Sequence, residues 1–164
     1  MKTLYLLRHA KSSRDDQEFK DFERPLADRG MRDVPKMASR FLQRGDTVDF
    51  IITSPAMRAK TTAKMMADQI GFPADEVVSN SKLYFSGAGS LFEVVRLIKE
   101  HHKSAMLVGH NPAITEFAHG MCAGRIEHIP TCGLLHLQFP VQRWEDIQEN
   151  SGKLVYFDFP KKED

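Results

Sequence analysis

The chain has 164 residues and a formal net charge of +1, and this length suits one domain, spanning residues 1–164, with its own core. Its 23 basic and 22 acidic side chains interleave, which argues against binding to nucleic acid or to a membrane surface. Two cysteines are too few for a disulfide framework. The amino terminus lacks the features of a secretion signal, and no apolar run approaches the roughly 20 residues of a membrane span, so we expect a cytoplasmic protein.

The first part of the chain predicts a strand, a loop and a helix. The stretch "TLYLL" (residues 3–7) is rich in strand formers and is typical of a buried strand. Residues 11–28 are charged and predict a surface loop, whereas residues 29–45 show helical spacing. Pro35 is expected to kink or restart this helix, and Gly45 is expected to end it. The predicted buried face consists of Met31, Val34, Met37 and either Phe41 or Leu42.

A second strand and helix follow directly. The stretch "DFIIT" (residues 49–53) predicts another buried strand, and residues 54–71 predict a helix. Ser54 is expected to cap this helix, with Pro55 at its first position and Gly71 at its end.

The second half of the chain continues the alternation of strands and helices. In chain order we predict a strand at 76–79, a glycine-bearing loop at 84–90, a helix at 90–102 capped by Ser90, a strand at 104–110, a short helix at 111–124 with Pro112 at its start, and strands at 133–140 and 152–160. This alternation indicates an α/β fold, a three-layer α/β/α sandwich around a mostly parallel sheet. The last two strands are expected to add an antiparallel edge.

Polar side chains follow three of the predicted parallel strands. Arg8 and His9 end the first strand, Arg58 lies near the start of the helix after the second, and His110 follows the strand at 104–110. Because ligands of open α/β sheets bind beyond the carboxyl ends of the strands, we expect these four side chains to converge on one crevice.

Two arginines and two histidines in one crevice suit phosphoryl chemistry. Guanidinium groups match the non-bridging oxygens of a phosphoryl group, and a helix amino terminus also favours an anion. A neutral imidazole is a nucleophile, and a protonated one stabilises charge on the transferring group. Phosphoryl transfer depends chiefly on positioning and charge stabilisation, so we expect no metal and no other cofactor.

Other phosphatase and metal chemistries fit the chain less well. A cysteine phosphatase needs an arginine after five intervening residues, and neither Cys122 nor Cys132 has one. Asp158 lacks the second aspartate of an aspartate-nucleophile phosphatase. The adjacent His101 and His102 end a predicted helix, where solvated histidines suit the helix dipole better than zinc ligation.

The same segments, taken together, resemble a known family. The stretches "LYLLRHAKSS", "ERPLADRG", "IITSPAMRAKTTA" and "MLVGHNPAI" resemble, in this order, the histidine phosphatase superfamily, which includes phosphoglycerate mutase-like enzymes. The resemblance spans about residues 3–118, continues more weakly through "TCGLLHLQF", and is strongest to the small bacterial phosphohistidine phosphatases.

The resemblance implies a role for each matching residue. His9 is the expected nucleophile and becomes phosphorylated on a ring nitrogen during turnover. The residues expected to hold the phosphoryl oxygens are Arg8, Arg58, His110 and, from the loop, Ser12 or less securely Ser13.

The chain departs from this family in two places. Ala10 stands where the signature usually has glycine, and the loop "KLYFSGAGS" lacks the acid that serves many relatives as proton donor. Asp15, Asp16 and Asp21, in the loop after the nucleophile, are the candidate replacements. Since an alkoxide leaving group needs a positioned acid more than an imidazole does, the missing acid favours phosphohistidine over alkyl phosphates as substrate.

Three readings of the function remain open at this point. The preferred one is a phosphatase acting on protein phosphohistidine. A phosphatase or mutase acting on a small phosphorylated metabolite is the main rival, although the chain has little room for the loops that shelter a mutase intermediate. The third reading is a phosphate-binding regulatory module without turnover.

Overall fold

The computed structural model describes residues 1–13, 19–123 and 125–162. Within these residues the strands are β1 Lys2–Arg8, β2 Phe50–Thr53, β3 Val78–Ser79, β4 Ser104–Gly109, β5 Leu134–Phe139 and β6 Lys153–Asp158. The α-helices are α1 Asp28–Gln43, α2 Met57–Ile70, α3 Ala88–Arg96 and α4 Ala113–Met121. Short 3-10 turns occur at Asp21–Glu23, Ala74–Glu76, Ser81–Leu83 and Trp144–Asp146.

The strands form a six-stranded sheet in the order β3-β2-β4-β1-β5-β6. The pairs β3–β2, β2–β4 and β4–β1 are parallel, whereas β5 runs antiparallel to both β1 and β6. The predicted mostly parallel sheet with an antiparallel edge is therefore confirmed.

Helices cover both faces of this sheet, because successive side chains of a strand point to opposite faces. On one face, α1 and α2 pack against a layer formed by Tyr5, Leu7, Ile51, Met106, Val108 and Leu134. On the other face, α3 and α4 pack against a layer formed by Leu4, Leu6, Ile52, Leu107, Leu135 and Leu137. The three-layer sandwich is the architecture expected from the sequence.

The first helix differs from its prediction in two respects. Pro35 lies inside α1, which continues to Gln43 without a break, so the helix does not restart at this proline. Met31 is 47% exposed, because Gly30 and not Met31 occupies the first buried position of the helix. Gly45 follows the helix with a φ of 76°, the left-handed conformation expected at a helix end.

The starts of the next two helices are also shifted. The amino-terminal cap of α2 is Ala56, and Ser54 accepts a hydrogen bond from the Ala56 amide at 3.2 Å, so neither Ser54 nor Pro55 has its predicted position. Gly71 ends α2 as predicted, with a φ of 83°. The cap of α3 is Gly87 rather than Ser90, and this helix is shorter than the predicted 90–102 segment at its carboxyl end.

Candidate active site

Three parallel strands end at the same edge of the sheet. Arg8 ends β1 in register with Gly109 of β4, which directly precedes His110. Thr53 ends β2 beside Val108 of β4. The strand ends that carry the predicted site residues therefore lie side by side, as the parallel topology requires.

His9 is buried, with 7% of its surface exposed, and its ring orientation is fixed by the backbone. Its Nδ1 lies 2.8 Å from the carbonyl oxygen of Ala10. Because a carbonyl oxygen only accepts hydrogen bonds, Nδ1 carries the proton and Nε2 keeps its lone pair. The Ala10 amide donates to Thr62 Oγ1 of α2 at 3.0 Å, which anchors this backbone, and the His9 ring centroid lies 5.1 Å from that of His110.

The surroundings of His9 lower its pKa to about 3. Burial is the largest cause, since it disfavours the charged imidazolium, and the hydrogen bond to Ala10 opposes this effect. The charges of His110, Arg58 and Arg8 lower the pKa further. His9 is therefore neutral at pH 7, which is the state a nucleophilic imidazole requires.

His110 is held by a hydroxyl group from the end of β2. Its Nε2 lies 2.7 Å from Ser54 Oγ. Burial, followed by the charge of Arg58, lowers the pKa of His110 to about 4, whereas Asp21 opposes the shift. With these neighbours His110 is neutral at pH 7, and a phosphoryl dianion bound beside it would raise its pKa toward the protonated form considered from the sequence.

Arg58 is a buried cation at the start of α2, with 5% of its surface exposed. Its Nη1 donates to the backbone oxygen of Asp21 at 2.8 Å, and its Nη2 donates to Asp21 Oδ2 at 3.2 Å. Its Nε is also buried and has no hydrogen-bond partner among the described residues. Burial lowers the pKa of Arg58, but a guanidinium remains charged at neutral pH.

Arg8 is positioned from the loop before β5. Its Nη1 donates to the carbonyl oxygen of Ile129 at 3.0 Å, and the same oxygen accepts a hydrogen bond from Asn111 Nδ2 at 2.8 Å. Thr115 in turn donates to Asn111 Oδ1 at 2.6 Å. Arg8 also borders a surface cavity of about 500 Å³, which is further lined by Asn111, Pro112, Thr115, Glu116, Glu127 and His128.

The structure describes only some of the residues that the sequence suggested from the loop after β1. Ser12 is buried, and its Oγ accepts a hydrogen bond from Arg24 Nη1 at 2.7 Å. A contact between this hydroxyl and a phosphoryl group stays a prediction. The amide of Ser13 donates to a backbone oxygen of the same loop. Asp15 and Asp16 lie outside the described residues.

Asp21 does reach the site, through Arg58, and it brings two further residues that the sequence reasoning missed. Tyr84 donates to Asp21 Oδ2 at 2.7 Å, and its ring centroid lies 5.7 Å from that of His110. Arg24 donates to Asp21 Oδ1 from both Nε, at 3.3 Å, and Nη2, at 3.1 Å. The spacing of Asp21 and Arg24 is a local signal for their ion pair, whereas nothing in the sequence pattern points to Tyr84.

Within the part of the chain that the structure describes, no three histidine, cysteine or acidic side chains are grouped to hold a metal ion. No helix in the same part is both long and apolar enough to cross a membrane. Cys122 and Cys132 are buried free thiols.

Comparison with known protein families gives the same family as the one that the sequence motifs resemble. Residues 4–84 match the histidine phosphatase superfamily (branch 1), and the chain belongs to this superfamily. A chloroplastic protein of Arabidopsis thaliana is 32% identical over 157 residues, covering 91% of this chain and 72% of the relative.

Solved structures of the same size share the fold. A structure from Agrobacterium tumefaciens, assigned as the phosphohistidine phosphatase SixA, is 25% identical with a TM-score of 0.81, covering 97% of this chain and 98% of that one. The protein histidine phosphatase SixA complexed with tungstate is 19% identical with a TM-score of 0.82, covering 96% and 97%. The phosphoglycerate mutase-like fold expected from the resemblance is thus confirmed.

Proposed function

We propose that this protein is a phosphatase that passes a phosphoryl group through His9, without a metal ion, and that its substrate is phosphohistidine in a protein. The observation that carries the proposal is the state of His9. It is a buried imidazole, tied through Nδ1 to a backbone carbonyl, and its pKa is lowered chiefly by burial and further by the charges of His110, Arg58 and Arg8. These are the properties of a nitrogen nucleophile in an anion-binding site.

In the first step, the lone pair of His9 Nε2 attacks phosphorus and the bond from phosphorus to the leaving group breaks. The leaving group keeps that electron pair and takes a proton from its surroundings. Arg8, Arg58 and His110 hold the phosphoryl oxygens as charge redistributes. In the second step, water attacks phosphorus, the P–Nε2 bond returns its electrons to the imidazole, and inorganic phosphate leaves with the remaining proton released to solvent.

The acid–base groups at the site favour a nitrogen leaving group. Hydrogen bonds from Tyr84 and from the charged Arg58 and Arg24 outweigh partial burial and lower the pKa of Asp21 to about 2. Asp21 is therefore ionised at pH 7 and does not serve as the general acid. An imidazole leaving group accepts a proton from solvent more readily than an alkoxide does, which supports phosphohistidine over alkyl phosphates.

The surface around the site supports a protein as the carrier of that phosphohistidine. Phe85 and Phe22 are 79% and 42% exposed, and both contact Tyr84, with ring centroids 4.2 Å and 5.1 Å from its ring. Exposed aromatic side chains beside a site are typical of protein interaction surfaces. The similarity to the Agrobacterium tumefaciens structure assigned as SixA points in the same direction.

A matched pair of substrates tests the proposal. One peptide is prepared with phosphohistidine and with phosphoserine at the same position, and phosphate release is measured with EDTA present, alongside a sugar phosphate. We expect kcat/KM to be highest for the phosphohistidine peptide. Equal or faster hydrolysis of the sugar phosphate would contradict the substrate assignment, and loss of all activity in EDTA would contradict the metal-free mechanism.

The same assay, repeated with an added acceptor alcohol and with a measurement of peptide binding, separates the rival functions. A mutase would transfer the phosphoryl group to an added acceptor alcohol rather than to water. A regulatory module would bind the phosphopeptide without releasing phosphate. Either result would overturn the proposal that this chain is a hydrolase.

A further inference from the structure

Asp21 is the centre of a hydrogen-bond cluster at the edge of the candidate site. Its carboxylate accepts hydrogen bonds from Arg58, Tyr84 and Arg24, and its backbone oxygen accepts a further one from Arg58. Arg24 continues the cluster to Ser12, three residues after the nucleophile. These contacts join the loop after β1, the start of α2 and the loop before α3.

The two bonds between Arg58 and Asp21 use one particular edge of the guanidinium. They come from Nη1 and Nη2, the two terminal nitrogens. The guanidinium has a second bidentate edge, formed by the hydrogens of Nε and the near side of Nη2. Nε is buried and has no partner within the described residues, so this second edge is the one left for an oxyanion.

Asp21 also supplies the countercharge for a buried cation. The Arg58 side chain is 6% exposed and that of Asp21 is 40% exposed, so the pair lies between the interior and solvent. Burial of a guanidinium without a partner is costly. Removal of the carboxylate therefore leaves Arg58 free to turn its terminal nitrogens toward solvent or toward the site.

We propose that Asp21 is a positioning residue that fixes Arg58 so that its Nε–Nη2 edge binds the transferring phosphoryl group. Tyr84 and Arg24 hold the Asp21 carboxylate in turn, and they thereby contribute indirectly to the orientation of Arg58. This inference rests on the proposed phosphatase function and adds the element that orients one of its two arginines. It assigns Asp21 a role different from the proton donor considered from the sequence.

The experiment compares Asp21→Asn with Asp33→Asn, whose aspartate forms an ion pair with Arg29 along α1. Both variants remove the carboxylate of an ion pair, but only Asp21 is bonded to Arg58. For Asp21→Asn we expect kcat/KM to fall about 10- to 100-fold, the range that corresponds to a lost charge-assisted hydrogen bond. For Asp33→Asn we expect wild-type kinetics.

Two readouts separate positioning from other roles. Inhibition by inorganic vanadate should weaken in Asp21→Asn by a similar factor, because the oxyanion uses the same edge of Arg58. The loss of kcat/KM should also be the same for aryl phosphates with good and poor leaving groups. A loss of kcat/KM confined to poor leaving groups would indicate that Asp21 acts as a general acid. Tighter vanadate binding in Asp21→Asn would indicate that Asp21 competes with the substrate for Arg58. Each of these results would overturn the proposal.

A second variant covers the case in which Asp21→Asn does not fold. Tyr84→Phe removes one donor to the carboxylate and keeps the charge of Asp21, so we expect a smaller loss with the same uniform dependence on the leaving group. Wild-type kinetics and vanadate affinity in every variant that folds, including Tyr84→Phe alone, would refute the positioning role. If the wild-type protein itself releases no phosphate, the proposed function fails instead, so the two failures are distinguishable.

Discussion

At the scale of single residues, the central feature is a histidine that burial keeps neutral. An unperturbed histidine has a pKa of about 6.5 and would be largely protonated at pH 5. The pKa of His9 is lowered to about 3, chiefly by burial. Because a lowered pKa favours the neutral form, Nε2 keeps its lone pair well into the acidic range, and the proposed nucleophile needs no neighbouring base to deprotonate it.

This state of His9 is directly measurable. Long-range ¹H–¹⁵N correlation spectra of the histidine rings, recorded from pH 7.5 to pH 5, should show that the rings of His9 and His110 both stay largely neutral, and that the ring of His9 carries its proton on Nδ1. The spectrum of His9→Gln identifies the ring of His9 by the loss of its signals. Protonation of His9 with a midpoint near 6.5, or a proton on Nε2, would contradict the account of the nucleophile.

At the scale of elements, a glycine lets α1 approach the loop that follows His9. A Cβ atom on Gly30 would collide with the carbonyl oxygen of Lys11, which accepts a hydrogen bond from the Ala27 amide at 2.9 Å. The collision involves backbone rather than a flexible side chain. The start of α1 therefore fixes the path of the chain two residues after His9.

Substitution of this glycine tests the packing of α1. We expect Gly30→Ala to lower the free energy of unfolding by about 1–3 kcal/mol, the usual cost of overpacking. Gly120→Ala in α4 is the control, because the added methyl group meets open space and alanine favours a helix by roughly 0.5–1 kcal/mol. The free energy of unfolding of both variants is measured by urea denaturation. Equal stability of Gly30→Ala and the wild type would show that the close approach of Gly30 to Lys11 does not constrain the packing of α1.

At the scale of the whole molecule, much of the fold could be predicted because each strand is a short apolar run separated from the next by a helical pattern. Arg8, His9 and His110 were identifiable since they directly follow such runs, and Arg58 since a helix begins just after β2.

The contacts between loops were beyond sequence reasoning. Asp21 and Arg58 are 37 positions apart, and Asp21 and Tyr84 are 63 positions apart. No periodic pattern connects them, because the loops take their paths from packing against the finished sheet. The exposure of Met31 has a similar origin, since the approach of Gly30 to Lys11 sets which side of α1 faces the core.

The account as a whole depends on a phosphoryl group that is carried by His9. Rapid-quench labelling with a ³²P-labelled donor, followed by peptide mapping, tests this directly. We predict a transient label that is stable in alkali, labile in acid, mapped to His9 and lost in His9→Ala. A label on another residue, or phosphate release that continues at the wild-type rate in His9→Ala, would contradict the account.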